Sequence, residues 1–411
     1  MPVGPFPILS LYTGAGGLDL GFEAAGYSTT AAVEFDADAV HTLRANRDWN
    51  VLHRSIHEVS SEEILAAAEL GEGDAAVLIG GPPCQPFSKS GYWARGDARR
   101  LHDPRATTLE AYLRVLRDVK PQAFLLENVP GLAYRNKEEG LQLLRRTIEA
   151  INEEHGTSYS FSVGRLKATD FGVPQYRERV FIIGHRDGIE FTFPDATHGP
   201  LAKGGDQSYL TAWDAIGELE DDDAPSLRMG GKWAELLPSI PEGANYLYHT
   251  NRGEGLPLFG WRTRYWNFLL KLAKHLPSWT LTADPGSAVG PFHWKNRRLS
   301  ALEMMRLQTF PAGYSVVGNQ RSIQRQLGNA VPSALAELLA REIRRQFFDG
   351  DAAGDLTLLP ARREKPAGPE TVLPVPPRYA LLAGDHDPHP GTGLGPAAIR
   401  RKRLAQAELP V

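Results

Sequence analysis

The feature that most constrains this chain is a rhythm in its first half: short, apolar, β-branched runs alternate with amphipathic helical patterns. The runs are Pro7–Tyr12, Thr29–Val33, Ala75–Ile79, Ala123–Leu126 and Val180–Gly184. Between them, helical periodicity covers Asp36–Asn46, Ser61–Leu70, Thr107–Val119 and Lys137–Glu154. Strands separated by helix-length crossovers can pair side by side only in parallel, with helices on both faces, so the spacing predicts an α/β fold. In such a sheet ligands bind beyond the carboxyl ends of the strands, and polar, chemistry-bearing residues follow the runs at those ends.

At 411 residues the chain is long enough for two or three domains. Lys plus Arg number 45 against 49 Asp plus Glu, a net charge of −4, so a polyanionic partner must be met by a local basic patch. No apolar stretch approaches the roughly 18 residues that cross a bilayer, and the opening Met1–Pro7 lacks the basic and apolar regions of a signal peptide. A cytoplasmic protein with no membrane partner is expected. The single cysteine, Cys84, excludes an intramolecular disulfide and any zinc site with two thiolates. His386 and His389 lie among acids in a Pro-rich stretch, where a solvated tail is the better reading, and no metal is expected.

Beyond Asp187 the rhythm gives way to Gly-, Pro- and Trp-rich text that holds six of the eight tryptophans, and a second, irregular domain is expected there. Helical periodicity returns at Ala301–Gln308 and, after a turn at Gly328-Asn329, at Pro332–Phe348. From Asp351 onward ten of the 31 prolines fall in little periodicity, the composition of a flexible tail.

Four constellations carry chemistry. Leu11-Tyr12-Thr13-Gly14-Ala15-Gly16-Gly17 follows the first run, and Glu34 ends the second. Glycines let the backbone approach a ligand, and an acid in that place accepts hydrogen bonds from ribose hydroxyls. Asp19 stands where a third dinucleotide glycine would fall, so an adenosine ligand without phosphates, such as S-adenosylmethionine, fits better. Gly80-Gly81-Pro82-Pro83-Cys84-Gln85-Pro86 follows the third run. A thiolate there suits addition to an electron-poor carbon such as pyrimidine C6. Glu127 ends the fourth run, where a carboxylic acid would serve N3 of cytosine, and Gln175-Tyr176-Arg177-Glu178-Arg179 leads into the fifth. Alternation points both arginines to one face, for a base oxygen or a phosphate.

These motifs, with Gln326-Leu327-Gly328-Asn329-Ala330-Val331-Pro332 near the end, resemble in order and spacing the bacterial-type DNA cytosine C5-methyltransferases. The resemblance spans about Leu9 to Phe347. It implies a Rossmann-like catalytic domain that binds S-adenosyl-L-methionine (residues 1–190), a smaller, partly β target-recognition domain (191–312), a return segment (313–349) and a tail (350–411). It implies Cys84 as nucleophile on C6, Glu127 at N3, Arg179 at O2 and Arg177 as its support. For the cofactor it implies Tyr12, Gly14, Gly16, Gly17, Glu34, Phe35, Ile56, Pro83, Leu109, Asn329 and Val331. The family's usual acids are replaced by Ser10 in the first motif and by Arg54-Ser55-Ile56 in the third, which bears on the adenine contact.

Attack on C6 comes from above the ring, so the base must leave the stack of double-stranded DNA. The basic segment Ser88–Arg105, with Lys89, Arg95, Arg99, Arg100 and Arg105 against Asp97 and Asp103, suits a closing loop. Gln85, Ser88, Ser90, Arg99, Gln175, Arg297 and Arg298 are the expected DNA contacts. The expected role is modification in a restriction–modification system, by a monomer whose functional partner is a cognate endonuclease. The alternatives are a tRNA cytosine C5-methyltransferase, whose branch carries a Cys-Phe-Thr that this chain lacks, and a non-catalytic DNA-binding regulator, which would be expected to have lost Cys84, Glu127 or a glycine.

Overall fold

The computed structural model describes residues 6–83, 107–129, 139–200, 207–219, 224–261, 265–348, 350, 354–366 and 368–384. The chain divides into two compact units, one comprising residues 1–221, 274–284 and 300–366, the other 222–273, 285–299 and 367–411.

The first unit is built on β1 (Pro7–Leu11), β2 (Ser28–Glu34), β3 (Asn50–His53), β4 (Val77–Gly80), β5 (Ala123–Asn128), β6 (Ser160–Lys167) and β8 (Glu178–His185), in the order β3-β2-β1-β4-β5-β8-β6. A two-residue strand, β7 (Gln175–Tyr176), pairs instead with Ser278–Trp279. Strands β3 to β5 in that order are mutually parallel, while β8 runs antiparallel to both β5 and β6. Strand order reverses between β1 and β4, which opens a crevice at their carboxyl ends. Strands β3 and β6 were not among the expected runs. Neither reads as an apolar run: β3 is Asn-Val-Leu-His, and β6 mixes exposed and half-buried residues as an edge strand does.

Alternation sorts the side chains into two layers. Leu9, Leu11, Val33, Leu78, Phe124 and Leu126 pack on one face with α3 (Ser61–Ala68), α4 (Thr107–Val119) and α5 (Glu139–His155). Ile8, Val77, Ile79, Leu125, Phe181 and Ile183 pack on the other with α1 (Gly17–Ala24) and the distant α9 (Ser333–Phe347). A β-carbon at Gly21 would lie 2.4 Å from Ala336 Cβ and 2.5 Å from Ser333 O, so the approach of α1 to α9 requires glycine there. Capping residues fix the helix starts: Asp36 before α2 (Ala37–Asn46), and reciprocal Ser60/Glu63, Thr211/Asp214 and Ser300/Glu303 pairs before α3, α6 (Ala212–Ile216) and α7 (Ala301–Leu307). Gly328-Asn329, expected as a turn, forms the last turn of α8 (Gln320–Asn329).

Among its described residues the second unit holds three isolated bridges (Arg228 with Arg297, Phe268 with Val289, Lys271 with Phe292), short 3-10 turns and one helical turn, Pro377–Ala380. Its core is Leu236, Leu237, Ile240, Tyr246, Leu258, Leu269, Phe292 and Tyr379, with Trp233, Phe259 and Phe268 packed against it. The expected tail is therefore partly core: Tyr379 is buried here, and Thr357 and Leu358 hydrogen-bond buried Glu337 in the first unit. A Pro-rich segment can pack without periodicity because side chains from other elements satisfy its backbone. Both units also depart from the expected 191–312 division, since Ser278–Trp279 pairs with β7 and α7 packs with α6. No described helix is long and apolar enough to cross a membrane.

Candidate active site

The crevice begins with the turn after β1. Tyr12, Gly14 and Gly16 take positive φ (58°, 56° and 79°). The glycines adopt this conformation freely, while Tyr12 is held in it by its amide on Val33 O (3.1 Å) and its hydroxyl on Thr108 O (2.6 Å). Helix α1 starts on Gly16, and among the described residues no side chain caps it, so its first amides are available to a ligand. Glu34, at the end of β2, locks the turn: Oε2 accepts from Gly14 N (2.7 Å), and Oε1 from Phe35 N (2.9 Å) and Asp36 N (2.8 Å). Burial raises the Glu34 pKa, while these backbone bonds oppose the rise. A carboxylate oxygen accepts about two bonds, so Oε2 keeps one place for a hydroxyl. Phe35 alongside is 66 % exposed, a large ring that packing alone would have buried.

Beyond β4 and β5 lies the second half. Asn128 Nδ2 donates to Pro82 O (3.3 Å) and Thr108 Oγ1 to Pro83 O (3.2 Å), anchoring the chain up to the residue before Cys84. A β-carbon at Gly81 would stand 3.0 Å from Glu127 Oε2, so the loop passes tightly over that carboxyl. Because β8 runs antiparallel to β5, its start lies at β5's end, and Arg179 Nε meets Glu127 Oε1 at 2.7 Å. Burial raises the Glu127 pKa, opposed by Arg179 and then Arg177. The result is a buried acid that retains its proton more readily than a solvated glutamate, with a cation to receive its conjugate base.

Arg177 is 2 % exposed and donates to Gly328 O (2.8 Å) and Leu281 O (3.4 Å), tying β8 to α8. Gln175, expected at DNA, has no exposed surface. Its amide donates to Leu307 O and Gln308 Oε1 and accepts from Leu281 N, a framework role. Arg297, also expected at DNA, is buried and donates to Arg298 O, while half-buried Arg298 donates to Ser287 O. Both sit in the second unit's own framework.

Ile56 and Leu109 are buried in the sheet's core, with Ile56 O accepting from Arg114. Ser55 caps the short turn that follows it. Pro83 and Asn329 are exposed. Val331 is buried, and its carbonyl would stand 2.4 Å from a β-carbon at Gly17, so Gly17 serves close packing as well as the turn. Cys84, Gln85, Ser88, Ser90 and Arg99 lie outside the described residues. Two residues were missed as supports of the turn. Tyr314 Oη donates to Ala15 O (2.9 Å), and Asp19, with no exposure, accepts from Thr29 Oγ1 (3.3 Å). Asp19 Oδ2 finds no partner among the described residues, and burial raises its pKa to about 7. A buried acid in an apolar helical pattern was the available signal.

The family model for C-5 cytosine-specific DNA methylase matches residues 6–345. The Type II methyltransferase M.SacI of Streptomyces achromogenes is 38% identical over 385 residues, covering 87% of this chain and 96% of its own. M.NgoFVII of Neisseria gonorrhoeae is 31% identical over 354 residues, covering 85% and 89%. Among solved structures, a variant of Spodoptera frugiperda DNMT2 shares the fold at a TM-score of 0.55 and 16% identity, covering 82% of this chain and 99% of that one. The chain belongs to the C-5 cytosine-specific DNA methylase family and is a DNA (cytosine-5)-methyltransferase.

Proposed function

We propose that this chain transfers a methyl group from S-adenosyl-L-methionine to C5 of a cytosine in one double-stranded DNA sequence, through a covalent adduct between Cys84 and C6. In this reading it is the modification partner of a cognate restriction endonuclease and acts as a monomer. The observation that carries it is the buried Glu127–Arg179 pair at the end of β5, beside the anchored segment that leads into Cys84.

The residues at the crevice suit the cofactor. Glu34 Oε2 has one acceptor place for a ribose hydroxyl, Phe35 offers a ring face to adenine, and Tyr12 and Gly14 form a turn that a bulky side chain would close. Bound there, S-adenosylmethionine supplies an electrophilic methyl carbon. Cytosine C6 lies within the base stack, so the nucleotide must rotate out before a thiolate can reach it.

The Cys84 thiol gives its proton to solvent, and its sulfur forms a bond to C6 as the C5–C6 π electrons become a C4–C5 double bond and the C4–N3 π electrons move onto N3. Glu127 in its acid form gives a proton to N3, and Arg179 then faces the carboxylate and the base O2. C5 becomes an enamine-like nucleophile toward the donor's methyl carbon, and transfer would break the S–CH3 bond and leave S-adenosylhomocysteine as the neutral thioether. Return of the N3 proton to Glu127, loss of the C5 proton to a base and departure of the thiolate from C6 restore the neutral ring. Arg177 acts behind Arg179, fixing the strand start by its two carbonyl contacts.

A duplex bearing 5-fluorocytosine tests the covalent step, because fluorine at C5 cannot leave as a proton does. Wild-type protein with cofactor is expected to form a complex that survives denaturation, and Cys84→Ser is not. An equally stable complex with Cys84→Ser, or none with wild type on a duplex it methylates, refutes the adduct.

A further inference from the structure

The family match ends at residue 345, yet residues 354–366 and 368–384 are tied to the rest of the chain by hydrogen bonds and by buried Tyr379, each stretch within a different unit. In the first unit, Glu337 of α9 has no exposed surface, and three of the four hydrogen bonds its carboxylate accepts come from this segment. Thr357 N (2.8 Å), Thr357 Oγ1 (3.0 Å) and Leu358 N (3.0 Å) donate to it beside Arg341 (2.7 Å). Arg363 N donates to Asp214 Oδ1 (2.8 Å), and Trp213 Nε1 to Glu364 O (2.9 Å).

In the second unit, Glu370 N donates to Glu242 Oε1 (2.8 Å), and the Glu370 carboxylate pairs with Lys295 (3.4 Å). Burial lowers the pKa of Lys271, which is 3 % exposed and donates to Ile240 O, to about 8, opposed by Glu242 and then Glu370. Leu373 N donates to Pro238 O (3.0 Å). Tyr379 is 3 % exposed, stacks on Trp233 (5.8 Å, 21°) and donates to Lys232 O (2.7 Å). The second unit has no extended sheet among its described residues, and a strap that supplies an aromatic to its core and a carboxylate to Lys295 is a structural part of it.

We propose that the segment beyond the family's final helix is a strap, clipped to the catalytic unit at Glu337 and Asp214, whose Tyr379 completes the core of the second unit, with Glu370 pinning it through Glu242 and Lys295, and so positions that unit's DNA-reading residues. This rests on the reading above only in taking the second unit as the DNA-recognition part. Tyr379 and Glu370 are positioning residues: they are placed in neither the cofactor crevice nor the Glu127–Arg179 pair.

The test uses full-length wild type, Tyr379→Ala, Tyr379→Phe and Glu370→Gln. Hydrogen exchange is read at residues 233–240 and 268–273, beside the cofactor Kd and the KM for duplex DNA. Tyr379→Ala is expected to speed exchange at both segments and to raise the KM for DNA about tenfold, a loss of about 1.4 kcal/mol, with the cofactor Kd unchanged. Tyr379→Phe keeps the ring stack and restores most of both readouts, and Glu370→Gln, a milder change, shifts exchange the same way. Unchanged exchange in Tyr379→Ala and Glu370→Gln overturns the strap, as does a cofactor Kd that weakens as much as DNA binding. If wild type neither binds nor methylates duplex DNA, the functional reading falls, while the exchange result still decides the strap.

Discussion

The two units are held together by different means. The first takes its core from alternation along a seven-stranded sheet, with each face closed by helices. The second has rings in place of strands: Trp233 lies 5.1 Å from Phe259 and 5.9 Å from Phe268, and Trp294 has no exposed surface. A sheet is specified by many interchangeable apolar residues in a period, whereas an aromatic cluster depends on each ring and on the carbonyls around it. The sheet can therefore exchange apolar residues behind the fixed chemistry at its edge, whereas loss of a single ring is expected to be felt throughout the second unit.

The largest effect that sharpens this contrast is expected from Glu127→Gln. It leaves the second unit untouched and removes the acid at the sheet edge, so kcat falls about 10²–10⁴-fold with DNA affinity retained, as single-turnover methyl transfer and a binding titration would read. The same acid gives a pH signature. Its pKa is raised by burial, so the proton it must donate is lost as pH rises through that raised value, and kcat in wild type is expected to decline above it.

Trp294→Ala tests the second unit's dependence on single rings. It is expected to cost about 3–5 kcal/mol and to lower the unfolding transition of the second unit, with cofactor affinity preserved. Equal loss of cofactor binding would break the contrast. Gly21→Ala is the counterpart in the first unit: its new methyl meets Ala336 and Ser333, and about 1–3 kcal/mol of stability is expected to go, read by thermal melting.

Asp19 gives the smallest and most conditional effect. Its pKa rises from 3.8 to about 7 in the fold. The native state then binds a proton that the unfolded state releases, so this group costs stability progressively as pH rises from about 4 to about 7. Asp19→Asn is expected to gain relative to wild type across that window and to match it most closely near pH 4, as melting curves over pH would show.

Much of the first unit was legible because its signals are local. Glycines that need positive φ, an acid at the end of β2 and an acid at the end of β5 follow directly from short apolar runs. What was not legible was burial of polar side chains. Gln175 and Arg297 read as groups poised for DNA and Arg177 as the support of Arg179, yet Gln175 and Arg177 are committed to carbonyls more than a hundred residues away, at Leu307, Leu281 and Gly328. Polarity in a sequence says that a partner is needed, not whether that partner is solvent, DNA or a distant backbone. The strap escaped for a related reason: prolines erase periodicity, and Tyr379 becomes core only through Trp233, far earlier in the chain.

The central claim is best tested by methyl transfer from labelled S-adenosylmethionine to mixed-sequence duplex DNA and to tRNA, for wild type and Cys84→Ser, with base-resolution mapping. The expected result is label on C5 of cytosine within one duplex sequence, absent with Cys84→Ser. Label on tRNA alone, or label on DNA that persists in Cys84→Ser, would contradict it.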